Sequence, residues 1–447
     1  MFCFLCIVTE GYSSTWRLGT ARVDITPTDS LWMGGYAARA RPAADAMHPL
    51  WAKAMVIADA NDYRGILITT DLLGFPADLS TSIRDEICER LGVEYSQIIL
   101  SSSHTHSGPV LRKGLMDIYP LQQSHLEEVI AYSDELHTMI VDLVHEAWSD
   151  LQPVSLSGAN GVVRFQVNRR NNNARDLHLA SDLNGPNDYS VPVLMASDAD
   201  SSLIATVFGY ACHPTVLNGY EWSGDYPGFA QIALERSFPE MTALFFQGCG
   251  ADQNPLPRRS RSLAEQYGTE LAAAVTRCLH EGGRDLQASL RTGYAEIELR
   301  LNALPDTATL AKIIEDGSSY QARWAQRMLK EVAAGKDIPK SYHYPIQIWQ
   351  MGSQLLCVMG GEVVVDYAIH LKRLFGAETF VMGYANDVMA YIPTVRILCE
   401  GGYEGASSQM VYGLPSTWQA DIEQKILHGF LQLAKSMEIS LPEAPLW

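Results

Sequence analysis

Short apolar runs alternate with longer amphipathic stretches along nearly the whole chain. Residues Leu18 to Ile25 read as a strand that stops at the turn Thr26-Pro27. Ala52 to Ala58 and Gly65 to Thr70 predict a strand pair around Asn61-Asp62. Ser80 to Leu91 has apolar residues at helical spacing, and the run Ile98-Ile99-Leu100 follows as a buried strand. Leu126 to Leu151 predicts a long helix with acidic residues on its outer face. Ser202 to Ala211 and Thr242 to Phe246 are further strands, and Ser262 to His280 is an amphipathic helix. Ser289 to Leu301 alternates as an edge strand does, and Gln347 to Met359 predicts a hairpin turning at Gly352. Thr379 to Met382 is a last short strand, and Trp418 to Met437 a closing helix. No internal repeat or low-complexity tract is visible. The fold class is α/β: a mixed β-sheet core covered by helices, with polar residues gathered at strand ends. Residues 1–17 stay unassigned, 18–447 form a single domain, and the polar helical segment at about 306–336 reads as an insertion.

Composition narrows the functional classes. The chain has 447 residues, of which 47% are hydrophobic and 19% charged, enough for a large core. There are 33 basic and 51 acidic residues, a net charge of −18. Binding to nucleic acid is therefore not expected, since phosphates need a basic face. The eight cysteines show no repeated spacing and mostly sit in apolar runs, which predicts reduced, buried thiols. The start MFCFLCIV lacks a basic region and a small-residue cleavage site, so it is a poor signal peptide. Cytoplasmic and secreted locations both stay open. No apolar run reaches 18 residues, so no membrane-spanning helix is expected. Oligomeric state is not legible.

Candidate chemistry collects at the strand ends. His104 and His106, in SSSHTHSGP, follow the Ile98-Leu100 run and, two apart, can point the same way. That pair fits either a metal site or two hydrogen-bonded structural histidines. His213 ends a second strand, Glu362 follows Gly360-Gly361 after a third, and Tyr391 lies in the loop after the last. Two histidines and a glutamate are a catalytic zinc set with a position left open. Taken singly, each of these residues also fits a loop, cap or core role.

Several ordered motifs resemble the neutral (non-lysosomal) ceramidases, a family of zinc amidases. They are MGGYA from Met33, HTHSGP from His104, NRR from Asn168, ACHPT from Ala211, SGDYPG from Ser223, GGE from Gly360, and Asn386–Tyr391 followed by YEGAS from Tyr403. The resemblance implies one Zn2+ per chain held by His104, His213, Glu362 and Tyr391. It also implies that His106, Arg169 and Tyr403 act on the substrate's polar head and developing oxyanion. Gly35, Tyr36 and Asp252 belong to the matching motifs and are assigned to substrate binding. The chain departs from the family in two places. Asn254, in Ala251-Asp252-Gln253-Asn254-Pro255, stands where the family carries an important serine, and an amide cannot serve as a hydroxyl nucleophile. The extra C-terminal domain of typical ceramidases is expected to be absent, since the sequence stops at Trp447.

The implied reaction is cleavage of an N-acyl amide by metal-activated water, with His106 moving the proton and Arg169 and Tyr403 holding the oxyanion. Asn254 would then hold substrate by hydrogen bonds. The substrate is a lipid or another small molecule. Arg169, Arg170, Asn171, Asn172, Asn173 and Arg175, with Arg258, Arg259 and Arg261, are either solvated loop residues or a sign of a polar, anionic substrate. A polar or carbohydrate-derived substrate on the same machinery is one alternative. A non-catalytic binding protein that kept the fold is another.

Overall fold

The computed structural model describes residues 15–172 and 183–441. Eight strands build the larger sheet: β1 (Trp16–Asp24), β2 (Trp51–Ala58), β3 (Arg64–Thr70), β4 (Ile98–Ser102), β5 (Gln152–Val162), β6 (Ser190–Ser197), β7 (Leu203–Tyr210) and β8 (Thr242–Gln247). Their order across the sheet is β8-β7-β6-β5-β1-β2-β3-β4, and the short strand Arg284–Asp285 adds to β5. The outermost pairs, β3–β4 and β7–β8, are parallel, and the other neighbours along this path are antiparallel. Parallel neighbours need a crossover. The helices α1 (Ala77–Leu91) and α3 (Asp225–Ser237) supply it, while α2 (Gln123–Ser149) and α4 (Arg261–Glu281) follow β4 and β8.

This order is a topological repeat. Each half runs as three antiparallel strands, a helix, a parallel strand and a second helix, and the antiparallel β1–β5 pair joins the halves. Helix α2 lies over β1 and β2 as α4 lies over β5 and β6. The sequence carries no trace of it, because the same alternation of apolar positions can be met by different residues.

A second sheet, β9 (Leu290–Arg300), β10 (Ser341–Met351), β11 (Gln354–Met359) and β12 (Phe380–Met382), packs on the face opposite the helices. Side chains of alternate strand positions separate the two interfaces. Ile98 and Leu100 meet α1 and α2, whereas Ile99 packs with Trp349, Leu356 and Met382 of the second sheet. The outer face of that sheet is closed by α7 (Val365–Phe375) and α8 (Ile422–Ser436), through Ile346, Cys357, Leu371, Ile426 and Phe430. The result is four layers, α/β/β/α. The mixed, helix-covered core expected from the pattern is present, divided into two sheets. Strands covered on both faces read as continuous apolar runs, which conceals how many layers cover them.

Residues 383–386 sew the two outer strands together. Gly383 N–H donates to Gln247 O, Ser102 N–H to Tyr384 O, and Asn386 N–H to Leu100 O. The loops after β4 and β8 therefore meet. The segment at 306–336 forms two helices, α5 (Thr307–Asp316) and α6 (Ser319–Ala333). Asp306 caps the first, and Ser318 with Gln321 forms a capping box on the second. They dock beside the site, since Arg327 donates to Gly413 O (2.9 Å) and Trp324 Nε1 to Leu414 O (2.9 Å). Among the described residues the six cysteines are free, and no helix is long and apolar enough to cross a membrane. Cys3 and Cys6 lie outside the described residues.

Candidate metal centre

Three chain segments deliver the central groups. His104 follows β4, His213 follows β7, and Glu362 follows β11. His104 holds φ at +63°, a region costly for a residue with a side chain. Its N–H donates to Leu72 O (2.9 Å) and its Nδ1 to Leu73 O (2.6 Å), which hold the turn and the ring. His213 Nδ1 is fixed in the same way by Gly250 O (2.8 Å). With Nδ1 protonated in both rings, each Nε2 presents a lone pair. Both Nε2 atoms lie 3.2 Å from Glu362 Oε2. The other oxygen, Oε1, accepts from Tyr412 OH at 2.5 Å. Among the described residues the buried His213 Nε2 and Glu362 Oε2 have no hydrogen-bond partner in acceptable geometry. Buried lone pairs facing one another without a proton between them are costly unless a cation sits among them. Imidazole nitrogens and one carboxylate suit a divalent ion of the zinc type.

His106 lies beside them, its Nε2 3.3 Å from His104 Nε2, and the ligand atoms of His104, His106 and His213 fall within 4.8 Å of one another. Its Nδ1 has no hydrogen-bond partner among the described residues. Burial, with the neighbouring imidazoles, keeps His106 neutral by pulling its pKa well below the usual histidine range. Burial lowers His213 to about 4. The Glu362 carboxyl is also pulled well below its ordinary value, because the two histidines outweigh the opposing effect of burial.

Tyr391 sits opposite Glu362 in a short parallel pairing, and its ring lies parallel to that of His213, centroids 6.5 Å apart. Arg169 Nη2 donates to the Tyr391 hydroxyl (3.2 Å), Nε to Glu404 (2.7 Å) and Nη1 to Asn254 Oδ1 (3.5 Å). Burial and the negative Glu362 hold Tyr391 protonated, its pKa pushed far up. A bound dication inverts that balance. The Tyr403 ring lies 5.2 Å from that of Tyr391 and is exposed on its other side. Asn254, in a short strand paired with Val167, is nearly buried and turned toward Arg169.

Two of the expected substrate contacts are near His106. Tyr36 packs its ring 4.7 Å from the imidazole, and Gly35 (φ +100°) leaves so little room that a Cβ would lie 2.4 Å from the ring. Gly35→Ala should therefore displace His106. Turnover is expected to fall roughly 10- to 100-fold with metal content unchanged, measured by kinetics beside elemental analysis. Asp252 does not fit a direct substrate contact. It is fully buried, with Oδ2 accepting from Asn168 Nδ2 (2.9 Å) and Oδ1 from Val365 N–H (2.9 Å). Its backbone oxygen accepts from Arg169 N–H (2.8 Å), so Asp252 positions Arg169.

The arginine-rich patch also resolves. Arg170 is neutralised by Glu400 and Glu404, and Arg261 by Glu265. Asn172 holds Asn168 and Asn184 backbone groups. Asn173 and Arg175 lie outside the described residues. Sequence reasoning missed Tyr412, Glu404 and Tyr384, the last with its ring 4.4 Å from His104. Glu404 stood within a quoted motif, but nothing local marks its carboxylate as the partner of two arginines 234 and 235 residues away.

Residues 16–253 match the family model described as neutral/alkaline non-lysosomal ceramidase, N-terminal. Neutral ceramidases A and B of Dictyostelium discoideum are each 24% identical, over 234 and 240 residues, 50% and 51% of this chain. These matches cover 32% and 33% of the two relatives, about a third of their length. The crystal structure of neutral ceramidase from Pseudomonas aeruginosa superposes with a TM-score of 0.74 at 19% identity, covering 97% of this chain and 76% of that one. A ceramidase complexed with C2 gives 0.74 at 18%, covering 97% and 77%. At these identities the likeness is one of fold.

Proposed function

This chain belongs to the neutral/alkaline non-lysosomal ceramidase family, and from that premise we propose that it is a zinc-dependent hydrolase of N-acyl amides. The observation that carries the reading is the convergence of two Nε2 lone pairs on Glu362 Oε2, each at 3.2 Å. His104, His213 and Glu362 would hold the ion, with Tyr391 as the fourth ligand. When bound, zinc supplies Lewis-acid polarisation and a nucleophile at neutral pH.

The chain's own residues do the rest. Water's oxygen ends on the acyl carbon, the C–N bond breaks, and the amine departs with a proton. His106 is the group to move that proton. Unlike His104 and His213, its Nδ1 is not tied to a backbone oxygen of any described residue, as that of a metal-bound histidine usually is. Arg169 donates toward the oxyanion and keeps its geometry through Glu404. Tyr403 offers a hydroxyl from the exposed side. Asn254 contributes an amide hydrogen bond and is not a nucleophile, so the scheme needs no serine at that position.

The test pairs elemental analysis with turnover. Purified chain should carry about one zinc, cleave a short-chain ceramide or another N-acyl amine, and lose the activity to a chelator. Protein that neither holds zinc nor cleaves any N-acyl compound would instead be the binding protein that kept the fold.

A further inference from the structure

Arg258, half-buried, and Arg259, exposed, lie beside the centre, linked to it through Thr215 and Tyr36. Arg258 reaches Thr215 Oγ1 with one long bond (3.3 Å), two residues after His213. Arg259 donates to the Tyr36 hydroxyl (2.9 Å), and its guanidinium lies 5.0 Å from the centre of that ring, which also packs against His106 and the Arg39 guanidinium. Among the described residues no carboxylate pairs with either arginine, although Arg169, Arg170 and Arg261 each have one. The nearby Asp225 turns both oxygens onto the backbone N–H groups of Val216, Leu217 and Tyr226. Arg259 also holds φ at +89°, a strained setting for a side-chain residue.

Two adjacent guanidinium groups with no ion-pair partner among the described residues repel each other, and Arg169 adds to the field. Burial and these neighbours lower the Arg258 pKa below its ordinary value. The chain carries 51 acidic residues, yet among the described ones none forms an ion pair with Arg258 or Arg259, while Arg169, Arg170 and Arg261 are paired. Free N–H donors in fork geometry match a carboxylate or a phosphate, and both are anions that a guanidinium binds in bidentate fashion.

We propose that Arg258 and Arg259 bind an anionic group on the substrate's polar side, so that this centre takes anionic N-acyl amines in preference to neutral ceramide. The proposal rests on the amidohydrolase reading above. It adds the charge of the substrate and the residues that select it.

Three matched probes test it: N-octanoylethanolamine, N-octanoylglycine and N-octanoyl-O-phosphoethanolamine. The zinc-loaded wild type should favour at least one anionic probe over the neutral one by about tenfold or more in kcat/KM. The comparison of glycine and phosphate probes tells carboxylate from phosphate. In Arg258→Ala and Arg259→Ala the preference should shrink toward unity, through KM. Arg→Lys at either site should retain part of it. Calorimetric titration of the same probes gives a readout independent of turnover, since selective binding of the anions should vanish in the Ala variants. Equal wild-type binding and turnover of charged and neutral probes overturns the proposal. So does a preference that survives both Ala changes. If no probe is cleaved yet anion-selective binding depends on the arginines, the hydrolase reading fails and the anion site stands.

Discussion

Replacing Glu362 with Ala is expected to strip the chain of zinc and of amide hydrolysis together. One carboxylate oxygen serves both imidazoles at 3.2 Å, so its removal takes away the carboxylate charge that balances the dication and leaves the two neutral imidazoles with Tyr391 alone. Turnover should drop at least about 10³-fold, since a Lewis acid is worth several kcal/mol of barrier. Zinc content should fall from about one per chain to trace. Thermal melting supplies an independent check. Zinc added to metal-stripped wild type should raise its melting temperature by mass action, and the variant should not respond. Tyr412→Phe is the companion change. It removes the 2.5 Å hydrogen bond to Oε1 but no ligand, and should weaken zinc roughly 10- to 100-fold. A Glu362→Ala protein that keeps stoichiometric zinc and full activity would refute the centre.

Arg169→Ala should separate catalysis from metal binding. The guanidinium spans Glu404, Tyr391 and Asn254 through three different nitrogens, at 2.7, 3.2 and 3.5 Å. On the proposed mechanism its loss removes a donor to the oxyanion, a change typically worth about 10²- to 10³-fold in kcat. Zinc content should stay near one per chain, because the two imidazoles and Glu362 are untouched. Lysine should not restore the rate, as a single ammonium cannot make the three-way contact. Glu404 keeps Arg170 as a partner (2.6 Å), so the variant should still fold. Loss of zinc in Arg169→Ala would instead make the arginine a support of Tyr391 as ligand.

Much of the fold was legible because burial imposes periodicity. The pair Ala52–Ala58 and Gly65–Thr70, the hairpin at Gly352 and the helix before His280 appear close to where the pattern puts them. The helices α3 and α7 were not read. Asp225–Ser237 opens on Asp-Tyr-Pro-Gly, which looks like a turn, and Val365–Phe375 follows a β-branched run, which looks like a strand. Strands β5 and β6 were also passed over, because Gly158, Gly161 and Pro192 break a strand-like pattern.

The residue types at each strand end, the motifs in their order and the amide in place of a serine are properties of the sequence alone, since chemistry travels with the side chain. Convergence is different. Whether His104, His213 and Glu362 share one ion depends on how β4 and β8 are brought edge to edge by residues 383–386, a contact no local pattern encodes. The same holds for the arginines. The sequence placed Arg169, Arg170, Arg258, Arg259 and Arg261 on equal terms, and only tertiary packing decided which have a carboxylate partner among the described residues and which do not. Charge compensation acts through space, across separations of more than 200 residues for Arg169 and Arg170.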